Sequence, residues 1–328
     1  PLRAGDVLLT SEAPLGEVAY LPVDLEACTG QRLFALRGKA GRLHGRFLYY
    51  LLRSDSVQSQ LHGRATGTTV SGIRQAELVK VRFELPAIDE QLAIADVLGA
   101  LDDKIESNRR LVATSESILE SMATLLDGDR IRLGELVEVS RETVNPAALG
   151  DLELELFSIP AFDSGRRPER AAASAVKSGK TRVDRESILL SRLNPRFPRV
   201  WYAVPAEDVT AVCSTEFMVL RPRHGQTPAD VWLACTQPEL RDAMTQRATG
   251  TSGSHQRVRP DDVLAIFVTD PRVLDDDARN EALELLQLVD VARRESEALS
   301  ALRDALLPEL ISGRLRAEPI ARLAEVTS

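Results

Sequence analysis

Apolar positions along this chain follow two rhythms. From Ile94 they recur in steps of four and three through Leu98, Leu101, Ile105, Asn108, Val112, Ser115, Leu119, Met122 and Leu126. That narrow stripe is the seam of a coiled coil. Leu285, Leu288, Ala292, Glu295, Leu299, Leu302 and Leu306 repeat it near the C-terminus. Each stripe has a polar interruption at a similar point, Asn108 and Glu295. The spacing predicts two long helices, over 89–127 and 273–313, that run antiparallel against each other. Elsewhere the apolar runs are short and punctuated by Gly and Pro, as strands are. They include Val7–Leu9, Val18–Tyr20, Leu33–Leu36 and Val79–Phe83, then Ile188–Leu190, Val200–Val204 and Phe217–Leu220. One helix is expected around Phe47–Leu61 and another around Ala229–Thr245.

The two halves repeat each other. Arg64-Ala65-Thr66-Gly67-Thr68-Thr69 recurs as Arg247-Ala248-Thr249-Gly250-Thr251-Ser252. Asp6–Thr10 followed by Pro14 matches Ser187–Ser191 followed by Pro195. Cys28-Thr29 matches Cys213-Ser214, and Leu36-Arg37 matches Leu220-Arg221. Ile73-Arg74 matches Val258-Arg259. Matches in one order over this distance mean two copies of a domain-sized unit. Residues 131–183 have no counterpart ahead of Leu2, and there is no initiator Met. The first copy is therefore expected to lack its start, roughly 50 residues by comparison with the second.

The expected architecture is an α/β chain, internally duplicated, with two β-rich domains separated by two long antiparallel coiled-coil helices. The boundaries read as 1–88, a helix over 89–127, a second domain over 128–272, a helix over 273–313 and a tail over 314–328.

Charge changes the picture more than composition does. The 328 residues are 44% hydrophobic, 27% charged and 4% aromatic, with formal net charge −8. That is enough apolar material for real cores. No apolar window spans a membrane, and no charged-then-apolar leader opens the chain. Cys28, Cys213 and Cys235 lie too far apart for a CxxC site, so a reduced, cytoplasmic setting is expected. The net charge alternates: +3 over residues 1–86, −6 over 87–130, +2 over 131–260 and −7 over 261–328. The acidic blocks are the helices.

Positive charge concentrates in residues 163–200, which hold ten basic and four acidic side chains. Lys and Arg neutralise phosphates, and Arg, Asn, Ser and Thr read base edges. The candidate DNA contacts there are Arg166, Arg167, Lys177, Lys180, Arg192, Asn194, Arg196 and Arg199. The recurring loops add Arg64, Thr66, Thr68, Thr69 and Ser71 in one copy. In the other they add Arg247, Thr249, Thr251, Ser252, Ser254 and His255. The spacer seam is expected to be Leu98, Leu101, Ile105, Asn108 and Val112 against Ala292, Glu295, Leu299, Leu302 and Leu306.

Catalytic and metal motifs are not found. Ser178-Gly179-Lys180-Thr181 ends like a phosphate loop, but Ser174 stands where its first Gly belongs. Asn194-Pro195-Arg196-Phe197 is similar to the Asn-Pro-Pro-aromatic loop of amino-methyltransferases, but Arg196 breaks it and no Gly-rich cofactor loop accompanies it. His44, His62, His224 and His255 are isolated from metal-ligand partners. No residue is assigned a catalytic or metal-binding role.

Two segments carry a resemblance. Leu85-Pro86-Ala87-Ile88-Asp89-Glu90-Gln91-Leu92-Ala93-Ile94-Ala95, with Leu98–Glu106 and Asn108-Arg109-Arg110, resembles the central conserved region of the DNA-specificity (S) subunit of Type I restriction–modification systems. Leu302–Arg316 resembles that family's distal conserved region. The resemblance implies two target-recognition domains, each reading one half of an asymmetric, bipartite DNA site, with the helices as spacer. It implies double-stranded DNA, two modification (methyltransferase) subunits and restriction/translocase subunits as partners, and no membrane. S-adenosylmethionine would belong to the modification subunit, and ATP and Mg to the restriction subunit, leaving this chain without a cofactor or catalysis of its own. Two other readings stay open: a non-catalytic coiled-coil adaptor without DNA specificity, which the net charge favours, and a self-sufficient DNA methyltransferase.

Overall fold

The computed structural model describes residues 1–67, 70–250 and 256–317. The chain divides into two compact units, Pro1–Ser107 with Ser296–Ser328, and Asn108–Glu295. Each unit takes in half of both long helices.

The first unit opens with β1 (Asp6–Thr10), β2 (Val18–Tyr20) and β3 (Leu33–Arg37). They form an antiparallel sheet in the order β2-β1-β3. Val7 and Leu9, two apart on the central strand, point to one face and are fully buried. That face is covered by α1 (Gly45–Arg53) and α2 (Asp55–Gly63), which bring Phe47, Tyr50, Leu51, Val57 and Leu61 into the same core. The single helix expected over Phe47–Leu61 is thus two. Ser54 is extended, and its Oγ donates to the Leu51 carbonyl at 2.7 Å, ending α1 there. A short α3 (Gln75–Leu78) leads to α4 (Ile88–Leu125), 38 residues and about 57 Å long.

The strand expected at Val79–Phe83 does not form. Its backbone is satisfied by a side chain instead: Gln60 Nε2 donates to the Arg82 carbonyl at 2.7 Å, and Arg82 N–H donates to Gln60 Oε1 at 2.9 Å. Among the described residues no strand lies beside it.

The second unit is richer. After α4 come β4 (Arg130–Arg132), α5 (Leu133–Leu136), β5 (Val137–Ser140), β6 (Thr143–Val144), β7 (Glu153–Phe157), α6 (Ile159–Asp163), β8 (Glu169–Ala172) and β9 (Lys180–Arg182). Then follow β10 (Ser187–Ser191), β11 (Val200–Ala203), β12 (Thr210–Cys213), β13 (Phe217–Pro222), α7 (Pro228–Thr236), α8 (Pro238–Arg247), α9 (Pro260–Leu264), β14 (Phe267–Thr269) and α10 (Asp276–Ile311). An antiparallel sheet β11-β10-β13-β5 packs against a mixed sheet β6-β9-β12-β7-β8, while β14 pairs with β4. All of β10 is buried. Ile188 and Leu190 face the core built by α7 and the long helices; Leu189 faces Phe157, Trp201 and Val219. Burial on both faces explains why this strand reads as a continuous apolar run. The helix expected over Ala229–Thr245 is again two, broken at Gln237, because Pro238 starts a new first turn.

The duplication is visible element by element. The order β2-β1-β3 is matched by β11-β10-β13, and α1, α2, α3 and α4 are matched in chain order by α7, α8, α9 and α10.

The helix seam is described within each unit. In the second, Asn108, Ser115 and Leu119 of α4 are 2%, 2% and 0% exposed, and Asn108 Nδ2 donates to Glu295 Oε2 at 2.7 Å. In the first, Ile94, Leu98 and Ile105 are buried, and Arg303 Nη1 meets Asp102 Oδ1 at 2.8 Å. The pairing runs antiparallel. On α4 the inward face is the one the spacing marks, with Leu101 and Val112 half-buried. On α10 it drifts by a residue. Leu302 is 48% and Leu288 39% exposed, whereas Leu286, Val289, Ala292 and Ser296 are buried and Leu299 and Leu306 are half-buried. Leu302 is therefore not a seam residue, because the ion pair with Asp102 turns Arg303 inward in its place.

Candidate nucleic-acid interface

The same loop pair is built in both units. In the second, Thr249 and Arg257 pair backbone to backbone at 2.9 and 3.0 Å, closing a hairpin after α8. That hairpin lies against the β10–β11 turn: Leu193 bridges to Arg257, and Asn194 N–H donates to the Gln256 carbonyl at 2.8 Å. In the first, Thr66 and Gly72 pair at 2.8 and 3.1 Å after α2, and Glu12 of the β1–β2 turn bridges to Gly72. Two turns separated by a long stretch of sequence are thus brought side by side twice.

The polar side chains at these turns differ. Arg192 Nη2 donates to the Thr215 carbonyl at 2.8 Å, and Arg196 stands 4.7 Å from the Phe197 ring. Asn194 has a positive φ of 48°, which an Asn side chain tolerates better than most. Arg247 is exposed and donates to the Asp262 carbonyl at 2.5 Å. In the first unit Arg64 pairs with Glu77 at 3.7 Å, and Ser71 is exposed. Thr68, Thr69, Thr251, Ser252, Ser254 and His255 lie outside the described residues.

Three of the remaining basic candidates, Arg166, Lys180 and Arg199, have their charge turned inward. Arg166 follows α6 and reaches Glu116 on α4, which also accepts from Arg293 of α10 at 2.7 Å. Burial lowers the affinity of the Arg293 guanidinium for its proton, with Glu116 opposing that effect. Arg199, 14% exposed, donates two hydrogen bonds to the Asp163 carboxylate at 2.8 and 2.9 Å, and this holds the Asp163 carboxyl below the usual range. Lys180, 9% exposed, turns to the Ser178 carbonyl at 3.1 Å, and burial pushes its ammonium pKa down. Arg167 is half-buried and Lys177 exposed. The local excess of charge is therefore not one patch: Arg192, Asn194 and Arg196 stand together with Arg247 and Thr249, and Arg166, Lys180 and Arg199 do not face the same way.

Two features were missed in the sequence. Arg257 straddles Glu216, with contacts from 2.7 to 3.1 Å, and fixes the hairpin to the start of β13. Its place after the recurring loop was the available signal. The Glu116 cluster had none, because its members come from three distant segments. Among the described residues no group of His, Cys, Asp and Glu could hold a metal ion. No helix among them is long and apolar enough to cross a membrane.

Comparison with known proteins gives a consistent answer. Residues 1–114 match the family model described as "Type I restriction modification DNA specificity domain". The chain is 28% identical over 128 residues to the putative type I restriction enzyme MjaX specificity subunit of Methanocaldococcus jannaschii, covering 39% of this chain and 29% of that protein. It is 29% identical over 140 residues to the MjaVIII specificity subunit of the same organism, covering 41% and 33%. The matches thus span about a third of these relatives' length. The fold is that of the Type-I restriction-modification system S subunit from M. genitalium, at TM-score 0.64 and 19% identity, over 94% of this chain and 83% of that one. Residues 1–114 thus match a Type I restriction modification DNA specificity domain, and the chain resembles the specificity subunits of Type I restriction–modification systems.

Proposed function

We propose that this chain is a sequence-specific DNA-binding subunit that reads a bipartite, asymmetric site and directs partner subunits to it. The observation that carries the reading is the repeated pair of adjoining turns, Thr66–Gly72 beside the β1–β2 turn and Thr249–Arg257 beside the β10–β11 turn. The backbone frame is common to both units, while the side chains on it differ. Two unlike reading heads suit an asymmetric site, whereas identical ones would read a palindrome. The recurring Arg and Thr suit phosphate contact, and the divergent Arg192, Asn194 and Arg196 suit base reading.

The long helices act as spacer, and they offer a docking face. On α4, Leu111, Ile118 and Leu125 recur every seventh residue and are 38%, 42% and 79% exposed. An apolar line of that spacing fits a helix of a partner. In this reading two modification subunits dock there, bind S-adenosylmethionine and methylate adenine; a restriction subunit uses ATP and Mg to cut. This chain contributes recognition and no chemical step.

The purified chain tests this. Duplex binding should fall steeply with salt, as phosphate neutralisation requires. No methylation or cleavage should follow when S-adenosylmethionine, ATP and Mg²⁺ are supplied without partner subunits. Turnover by the chain alone, or the absence of duplex binding at low salt, would overturn the proposal.

A further inference from the structure

Phe197 is more exposed than Phe83 at 39% or Phe267 at 46%, and it stands out from the aromatic core beside it. The aromatic rings nearest it in sequence and fold, Phe157, Phe162, Trp201 and Phe217, are 1%, 8%, 3% and 3% exposed. Phe197 is 53% exposed at the apex of the β10–β11 turn. The turn that presents it is stiff. Its N–H donates to the Asn194 carbonyl at 2.9 Å, closing a tight turn. Pro195 is buried beneath it and Pro198 follows it, so two backbone torsions are fixed by proline rings. Asn194, in the left-handed region, is tied to Gln256 of the neighbouring hairpin. The Arg196 guanidinium lies 4.7 Å from the ring centre, so a cation and an aromatic face are offered together.

Among the described residues, the equivalent turn of the first unit carries no aromatic ring. That turn carries Pro14 and Leu15, and Leu15 is buried at 8%. The repeated frame therefore carries a buried Leu15 directly after its proline in one unit, and Arg196 followed by an exposed Phe197 in the other. A rigid, exposed ring flanked by arginine is the equipment of a wedge. Apolar side chains of this kind enter between base pairs, partly unstack them and kink the duplex. Stiffness matters, because a ring already ordered loses little entropy on insertion.

We propose that Phe197 inserts between two adjacent base pairs in the half-site read by the second unit, with Arg196 at the base edges beside that step. This rests on the DNA-reading function above. It adds a recognition mode, readout of how easily one base step unstacks, that hydrogen bonding by Arg192 and Asn194 does not provide.

The full chain is used to enrich duplexes from a random library, and the enriched site is remade with 2-aminopurine at successive positions in each half. The wild-type chain should raise fluorescence at one step in one half only. Phe197→Ala should abolish that rise and weaken binding on the order of tenfold to a hundredfold, the range for a lost base–aromatic stack. Its salt slope should not change, since no charge is removed. Phe197→Trp should restore both signals. Thermal melting of each variant checks that the exposed position has not altered folding. Equal binding by Phe197→Ala, or a signal that Phe197→Ala leaves intact, overturns the wedge while leaving DNA reading standing. If the wild-type chain enriches no sequence at all, the DNA-reading function itself falls, and the wedge with it.

Discussion

Replacing Glu116 on α4 separates a structural arginine from a DNA-binding one. Glu116 Oε1 accepts from Arg166, which comes from the turn after α6, and from Arg293 of α10. Arg166 also lies 4.8 Å from the Phe162 ring, so the α6 turn is fixed to the helices by one side chain. The three charged groups keep 29%, 22% and 19% of their surface. Removing one partner of a fully buried ion pair costs roughly 3–5 kcal/mol, mostly because the other charge is left uncompensated. With 19% to 29% of each group still reaching water, we expect about 2–3 kcal/mol for Glu116→Gln, which leaves two guanidinium groups facing each other. Arg166→Ala should cost less, about 1–2 kcal/mol, because Glu116 keeps Arg293. Urea unfolding of the two single variants and the double variant gives the coupling, expected to exceed about 0.5 kcal/mol. DNA binding supplies the second arm. Arg166→Ala should leave the salt slope unaltered, whereas loss of a phosphate contact lowers it by about one unit. Unchanged stability together with a reduced slope would refute the assignment and return Arg166 to the DNA surface.

Three further outcomes follow from the same contacts. Asn108→Asp puts a second carboxylate, at a position 2% exposed, beside the solvent-reaching Glu295, so stability at neutral pH should drop by about 1–3 kcal/mol and the loss should shrink in urea titrations at acid pH, where a carboxylate of the pair is protonated. Asp6 is held at a pKa of about 2, chiefly by two hydrogen bonds donated by Arg37 at 2.6 and 2.7 Å. That lowered value means its contribution is present above pH 4 and is lost as pH falls toward 2, so Asp6→Asn should flatten the stability profile in that window. Arg247→Ala should weaken binding to every sequence alike and reduce the salt slope by about one unit, read by titrations on matched and mismatched duplexes.

How far the sequence carried depends on what each position must do. The α4 seam was legible because its inward residues are mostly apolar, and spacing alone then marks the face. The α10 seam drifted because Ser296 and Arg303 lie inward, and a hydrophobic pattern cannot flag a polar residue whose partner is on another element. The repeat was legible in the Arg-Ala-Thr-Gly-Thr loops, and the turn beside each was not, since the bridges Glu12–Gly72 and Leu193–Arg257 join distant segments. Counting charge over residues 163–200 overstated the basic surface for the same reason: Glu116, Asp163 and Ser178 claim Arg166, Arg199 and Lys180, and only folding brings Glu116 to Arg166. Phe197 was legible as a residue in a motif; its exposure was not.

The central claim is that this chain chooses the DNA sequence on which partner subunits act. Methylome sequencing tests it most directly, in a host that expresses the cognate modification subunit with and without this chain. The account predicts methylated adenines at one bipartite, asymmetric motif that appears only when the chain is present. It predicts also that replacing Arg192, Asn194 and Arg196 alters one half of that motif and leaves the other half and the gap unchanged. An identical methylation pattern with and without the chain, or a motif whose two halves both change with those three residues, would contradict it.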